Sequence, residues 1–117
     1  MALSNAGKDA LLEGLASAVG YASLHTGDPS TTGANEVSGG SYAREIVPWD
    51  TAAAGNVTTD GAIVFDVPAG TTISYVGYWS AVTSGTFYGA RALDTAQTFA
   101  TAGTYTIAAG NLSESIS

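Results

Sequence analysis

Hydrophobic and polar positions alternate along most of the chain after residue 20, and this alternation predicts β-strands. It is cleanest in residues 63–67, at Ile63, Phe65 and Val67, and in residues 73–81, at Ile73, Tyr75, Gly77, Trp79 and Ala81. Glycine, asparagine, aspartate or proline bounds most of the predicted strands, which are 21–27, 42–49, 62–70, 71–82, 86–93, 104–110 and 111–117. Seven short strands with frequent turn signals predict an all-β fold, an antiparallel β-sandwich or barrel. Of the two we favour the sandwich, of jelly-roll or immunoglobulin-like type.

A different pattern at residues 4–18 predicts one short N-terminal helix. Ser4 can cap its start and Gly20 its end, whereas Gly7 and Gly14 each weaken it by about 1 kcal/mol relative to alanine. Its predicted apolar face consists of Ala6, Ala10, Leu11, Leu15 and Ala18. A helix this weak needs a packing partner, which is either its own sheet or a neighbouring chain.

The length of 117 residues predicts a single domain over 1–117, with an N-terminal helical segment at 1–19. Alternation predicts a core made of Leu24, Ile46, Val47, Phe65, Val67, Ile73, Tyr75, Trp79, Phe87 and Ile107. Tyr78 and Tyr88 fall on the opposite face, so they are the candidates for an interaction surface. The last predicted strand, 111–117, is a candidate edge strand that could add to the sheet of a neighbour.

Composition changes this picture mainly by exclusion. The net charge of −7, with only three cations, disfavours binding to nucleic-acid phosphates. The absence of cysteine excludes disulfides, thiolate catalysis and zinc–sulfur sites. Asp9 and Glu13 interrupt the apolar part of the N-terminus, which is therefore not a signal peptide, and no run reaches the roughly 18 apolar residues of a membrane span. We expect a chain that is made and used in solution.

Reactive side chains are few. The single histidine, His25, lies on a predicted strand and is followed by Thr26 and Gly27. It is interpreted as a hydrogen-bonded structural residue, because no candidate nucleophile has a matching local context. Asp60 and Asp66 stand about 20 Å apart along a strand, too far for a glycosidase pair, whereas a pair such as Glu45 with Asp50 is left open. The sequence therefore predicts no enzyme, no catalytic residue and no cofactor.

The longest stretch without strand character, residues 27–41, is rich in turn-forming residues. Asp28, Asn35 and Glu36 are oxygen ligands, but their order matches no calcium loop, so no metal site is predicted. Asp28 begins a turn before proline, and Asn35 can cap its own backbone. Glu36 and Arg44 are predicted to form a structural ion pair that holds the returning chain, with Tyr42 beside the guanidinium. We expect an ordered loop rather than a linker.

The order of residues in this region, YxSLHTGDP at 21–29 and TGANEVSGGSYAR at 32–44, resembles a family of small virion proteins of tailed bacteriophages. VPAGTTISYVGYWSA at 67–81 and GTFYGA at 85–90 extend the resemblance, which covers residues 3–112. Relatives are common in phages of actinobacteria and are described as head decoration, minor capsid or tail-fibre-type proteins. The resemblance implies a β-rich structural module that binds other virion subunits and has no catalytic residues.

Two hypotheses follow from this resemblance. The favoured one is a capsid decoration (cement or minor capsid) protein on the outer surface of the major capsid lattice, because a receptor module would usually be fused to a long fibre shaft. It implies the major capsid protein as partner, self-association into a homo-oligomer, preferably a trimer, synthesis in the host cytoplasm and a location on the capsid exterior. The alternative is a tail-associated or tail-fibre β-sandwich module that binds a host-surface glycan, with Tyr78 and Tyr88 available to it.

Overall fold

A computed structural model of the chain describes residues 3–115, which are mostly β with one short helix. Within that range the elements are α1 (Asn5–Ala18), β1 (Tyr21–His25), β2 (Glu45–Ile46), β3 (Asn56–Thr58), β4 (Ile63–Val67), β5 (Thr71–Trp79), β6 (Phe87–Phe99), β7 (Gly103–Ile107) and β8 (Ser113–Ser115). Every strand pairing is antiparallel. The predicted fold class, mostly β with antiparallel sheets and a short N-terminal helix, is confirmed.

The described strands form a four-stranded sheet in the order β2-β1-β5-β6 and two separate pairs, β3-β8 and β4-β7. Inward side chains of the four-stranded sheet and of the β4-β7 pair belong to one buried core. The jelly-roll or immunoglobulin-like type of the predicted sandwich is not confirmed, since the described strands divide among three sheets.

Most of the predicted core is buried. The buried members of that set are Leu24, Val47, Phe65, Val67, Ile73, Trp79 and Ile107. Tyr75 and Phe87 are only half-buried, and Ile46 is wrong, because its side chain is 67% exposed. Strand β2 lies at the sheet edge and contains only Glu45–Ile46, so the following residue, Val47, takes the inward position.

An irregularity in the β5-β6 pairing explains why the inward-facing side chains of β5 differ from those predicted. The register passes from Ile73 opposite Gln97 to Tyr75 opposite Ala92, which leaves Ser74 alone opposite residues 93–96. Such a bulge changes which side chains face inward, because side-chain direction alternates with each residue. Beyond it, Val76 and Tyr78 join Ile73 in the core, and Trp79 lies on the other face.

Helix α1 begins as predicted, with the Ser4 hydroxyl accepting a hydrogen bond from the Gly7 amide at 3.1 Å. It ends at a Val19 cap rather than at Gly20. The helix packs on its own chain through Leu12, which contacts Ala52 and Val57. The predicted apolar face is therefore wrong at Leu11, which is 53% exposed, because the buried stripe is rotated by one residue.

Carboxylates of the helix also hold it in place. Asp9 accepts a hydrogen bond from the Gly55 amide at 2.8 Å, and Glu13 accepts one from the Ala52 amide at 2.5 Å. These amides flank the turn at Ala54 and Gly55, which both have positive φ and lead into β3. The acids that excluded a signal peptide thus bind the helix to this turn.

The structure contains one strand that was not predicted, and it shows a different partner for the last predicted strand. Sequence patterns did not reveal β3, which follows the turn at Ala54 and Gly55. Residues Ser113–Ser115 pair with β3 within the same chain, so the described part of the predicted free edge at 111–117 is already partnered. Its residues 116 and 117 lie outside the described range.

Candidate functional site

The middle of the loop at 27–41, around Gly33 and Ala34, covers the face of the four-stranded sheet that points away from the main core, whereas Val37 turns into that core. The returning chain pairs with β1, since the Val37 amide donates to the Leu24 carbonyl and the Thr26 amide to the Asn35 carbonyl, both at 2.9 Å. Gly33, at a φ of 79°, lies so close to the Trp79 ring that a Cβ atom there would stand 2.5 Å from it. The loop therefore packs directly against the Trp79 ring of β5.

A chain of hydrogen bonds runs beneath this loop. Trp79 Nε1 donates to Ser23 Oγ at 2.9 Å, Ser23 Oγ lies 2.6 Å from His25 Nε2, and His25 Nδ1 lies 2.8 Å from the Ala34 carbonyl oxygen. Because that carbonyl only accepts, the proton of the neutral ring belongs on Nδ1. Nε2 then accepts from the Ser23 hydroxyl, and every group in the chain is satisfied.

The Ser23–His25 contact has the geometry of a nucleophile and its base, but its surroundings serve packing. Both side chains are fully buried, and Ser23 Oγ already accepts from Trp79. Gly77 leaves only enough room for them, since a Cβ atom there would lie 2.5 Å from Ser23 Oγ. Burial lowers the pKa of His25, against opposing effects of the Ala34 carbonyl and Glu36, so the ring is neutral. This arrangement fixes the loop on the sheet and offers no access to a substrate.

Arg44 and Glu36, the predicted ion pair, lie at the edge of the same loop. Arg44 Nε and Nη2 donate to the two Glu36 oxygens at 3.0 and 2.9 Å, a bidentate arrangement. Arg44 Nη1 donates to the carbonyls of Ala81 and Ser84, and its Cζ lies 3.6 Å above the centre of the Trp79 ring. The Arg44 guanidinium thus connects the loop to the turn that follows β5 and to the Trp79 ring.

Tyr42 completes the surroundings of Glu36. Its hydroxyl donates to Glu36 Oε2 at 2.8 Å and accepts from the Leu24 amide at 3.0 Å. Burial raises the pKa of Tyr42, so the hydroxyl stays protonated and remains a donor. Burial alone would also raise the pKa of Glu36, but the hydrogen bonds from Arg44 and Tyr42 outweigh it and lower that pKa. The carboxylate is charged and fully paired.

The two tyrosines predicted to form an interaction surface are not brought together. Tyr78 is wrong as a surface residue, because only 5% of it is exposed and its hydroxyl donates to Glu114 at 2.5 Å inside the core edge. Tyr88 is 46% exposed. The β5-β6 bulge accounts for the difference, because it places Tyr78 on the inward face that alternation from Ile73 would have given to Tyr75.

A polar site lies between β6 and β7, each at an edge of its sheet. It is a cavity of about 470 Å³ that reaches inward to Val76 and Leu112. Its polar lining includes Asp94, Gln97 and Asn111. This site was not predicted, because the strand at 86–93 was expected to end where the polar run at 94–98 begins, whereas β6 continues to Phe99.

Among residues 3–115 no group of three or more His, Cys, Asp or Glu side chains is arranged to hold a metal ion. Asp28 instead accepts from the Ser30 amide at 2.8 Å, and its own carbonyl accepts from the Asn35 side chain at 3.0 Å, both as turn contacts. In the same part of the chain, no helix has the length and apolar character needed to cross a membrane.

Comparison with protein families gives a match that spans nearly the whole chain. Residues 2–115 match the family described as Podophage GP4 fiber I protein gp80. No curated protein matches the chain.

Proposed function

The chain belongs to the Podophage GP4 fiber I protein gp80 family, and from that premise we propose that it is a tail-fibre-type component of the phage virion. Membership over residues 2–115 is the observation that carries the proposal. It makes the chain a phage structural protein. The position in the tail fibre is our inference from the family description.

The fibre interpretation is better supported than the capsid decoration hypothesis, since the family is described by a fibre rather than by a capsid. A seat on the capsid exterior, with the major capsid protein as partner, has no such support. Origin in a phage of actinobacteria stays a prediction from the sequence.

Binding rather than catalysis is the mode of action that the geometry favours. The one close pair of a hydroxyl and an imidazole, Ser23 with His25, is fully buried beneath the loop at 27–41. A cavity with a polar lining, between β6 and β7, is by contrast open to solvent. We infer a non-enzymatic module that acts through its surfaces.

Self-association is part of the proposal. Among residues 3–115, strand β6 (Phe87–Phe99) has one partner strand, β5, and a long unpaired edge favours pairing with another chain. The described residues measure 47 × 26 × 23 Å, an elongated shape that suits side-by-side packing around a fibre axis. A homo-oligomer, with a trimer as the preferred state, fits these features.

Immunogold labelling of intact virions with antibodies against this chain tests the location. We expect gold at the tail, at positions where fibres attach. An equal preparation from virions stripped of their fibres serves as the control and should lose the label. Gold spread evenly over the head would overturn the fibre proposal and restore the capsid decoration hypothesis.

A further inference from the structure

We propose that the cavity between β6 and β7 is a binding site for a neutral saccharide. The inference rests on the proposed function, because a fibre component at the virion surface is placed to meet host-surface glycans. It assigns the ligand class and the site, which differs from the tyrosine surface predicted from the sequence.

The cavity exists because two edge strands diverge. Residues 93–96 of β6 lie opposite Ser74 alone, so this part of β6 is released from regular pairing with β5. Strand β7 pairs only with β4, which leaves its other edge facing the same gap. A space of about 470 Å³ results, within the range of small-molecule sites and large enough for a sugar unit or two.

Polar groups that line this space are free to bind. Among the described residues, the Asp94 carboxylate and the Asn111 side-chain amide make no hydrogen bond to a protein group. Gln97 makes only a long contact of 3.3 Å, from its amide to the Thr95 carbonyl. A carboxylate accepts and an amide both donates and accepts, which together match the hydroxyl groups of a sugar ring.

Tyr105 supplies an apolar surface beside these groups. It lies opposite Phe65 in the β4-β7 register and so points inward, yet its strand is at the edge and the ring lines the cavity. Burial raises the pKa of Tyr105, so its hydroxyl stays protonated and can donate. The C–H face of a pyranose can pack on such a ring while its hydroxyls reach Asp94 and Asn111.

Charge favours a neutral ligand over an acidic one. Arg91 is the cation at the cavity rim, but its Nη1 already donates to the Ser113 carbonyl and lies 3.0 Å from Glu114 Oε2. Asp94 adds a negative charge, and the whole chain carries a net charge of −7. A sialic or uronic acid would have to compete with Glu114 for Arg91 and would lie beside the Asp94 carboxylate, which repels it.

The test is a titration of the isotope-labelled full-length chain, followed by nuclear magnetic resonance. The probes are glucose, galactose, mannose, rhamnose and N-acetylglucosamine and their disaccharides, with glucuronic acid as the acidic probe. We expect shifts of the Gln97, Asn111 and Tyr105 signals with at least one neutral sugar, and none with glucuronic acid. Absence of shifts for every sugar in the panel would overturn the inference.

Variants distinguish the cavity from other surfaces. Asp94→Asn and Asn111→Ala should each weaken the binding by about tenfold, the loss expected for one hydrogen bond to the ligand. Asp66→Asn is the matched control, because Asp66 is an exposed carboxylate on the outer face of β4, and it should leave the affinity unchanged. Equal weakening by all three variants would overturn the assigned site.

Other outcomes separate the alternatives. Shifts of the Tyr105 and Asn111 signals that depend on protein concentration and not on sugar would show that a second copy fills the cavity itself, against the proposal. Sugar binding in the cavity combined with gold on the phage head would refute the fibre location but keep the saccharide site. Gold at the tail without sugar binding would keep the location and refute the site.

Discussion

At the residue scale, Gly77 shows how closely the buried hydrogen-bond chain is packed. A Cβ atom at this position would lie 2.5 Å from Ser23 Oγ and 2.6 Å from His25 Nε2. We expect Gly77→Ala to lower the free energy of unfolding by about 1–3 kcal/mol through overpacking. Urea denaturation of the variant and the parent checks this expectation.

Gly14→Ala is the matched control for that substitution. Gly14 is an exposed position on α1, and nothing lies within 4 Å of the Cβ atom it lacks. Alanine in a helix interior should raise the free energy of unfolding by about 1 kcal/mol. Opposite signs for the two glycines are expected, and an equal gain at both would contradict the packing around Ser23 and His25.

His25 predicts a pH dependence with a definite sign. Its pKa is lowered in the folded chain by burial, beside Glu36 and Arg44, whereas the unfolded chain titrates near 6.5. As the pH falls below about 6.5 the unfolded state takes up a proton that the folded state does not, so the free energy of unfolding decreases. His25→Gln should flatten this decrease, and denaturation curves between about pH 5 and 8 measure it.

Glu36, the carboxylate beside His25, affects stability at a lower pH than His25 does. The lowered pKa of Glu36 means that its contribution to stability is present above about 4.5 and is lost as the pH falls through its folded pKa. The contributions of His25 and Glu36 to stability therefore fall in different pH ranges and can be measured separately. Stability that stays constant from pH 8 to 5 in the parent would contradict a neutral His25 in the folded state.

At the element scale, the loop at 27–41 depends on the fork of Arg44. A lysine at this position keeps the charge but loses the bidentate contact with Glu36 and the stacking on Trp79. We expect Arg44→Lys to reduce the free energy of loop opening by about 1–3 kcal/mol. Hydrogen exchange at the Gly33 and Val37 amides measures this opening.

Arg91→Lys is the control for the loop experiment. Arg91 pairs with Glu114, but its side chain is 45% exposed, so the substitution should change stability by less than about 1 kcal/mol. Loop amides that exchange freely in the parent would show that residues 27–41 are not ordered in solution. Order in residues 27–41 therefore stays a prediction that this experiment tests.

Helix α1 offers a test with two neighbouring leucines. Leu12 is 2% exposed and packs on Val57, whereas Leu11 is 53% exposed. We expect Leu12→Ala to lower the free energy of unfolding by about 2–5 kcal/mol and Leu11→Ala to change it by less than about 0.5 kcal/mol. Thermal or urea unfolding distinguishes them, and equal effects would contradict the docking of the helix on β3.

Prediction from the sequence worked for elements that obey a single period. Strand β4 alternates without interruption, and its inward residues were all recognised except Ile63, which the predicted core omitted. Prediction failed where the period breaks. The bulge opposite Ser74 is not encoded by any glycine or proline, so Tyr78 was assigned to the wrong face and the continuation of β6 was missed.

The candidate sites were predictable to different degrees. Glu36 and Arg44 are rare charges flanking one loop, and simple charge pairing leads to them. The cavity between β6 and β7 instead depends on how two separate sheet edges diverge, and such tertiary geometry leaves no local pattern. Likewise, the Ser23–His25 contact shows up in the sequence only as two residues of one strand face.

At the scale of the whole molecule, the unpaired side of β6 predicts association. We expect a homo-oligomer, preferably a trimer, because a long free edge and low surface charge favour contact between copies. Sedimentation equilibrium of the purified chain measures the mass. Ala96→Lys, at an exposed β6 position outside the β5 register, should weaken an assembly that uses this edge, whereas Thr83→Lys, at an exposed position before β6, should not. A strictly monomeric parent at all concentrations would contradict the prediction.

Strand β3 contacts both the first and the last of the described elements, since α1 packs on it and β8 pairs with it. Release of β8 exposes the backbone of the same short strand, Asn56–Thr58, whose Val57 side chain supports the helix. Detachment of one element therefore loosens the other, although α1 and β8 are far apart in the sequence. A bulky tag or a protease cut near either one should speed the release of both, and their detachment should be observed as a single kinetic event.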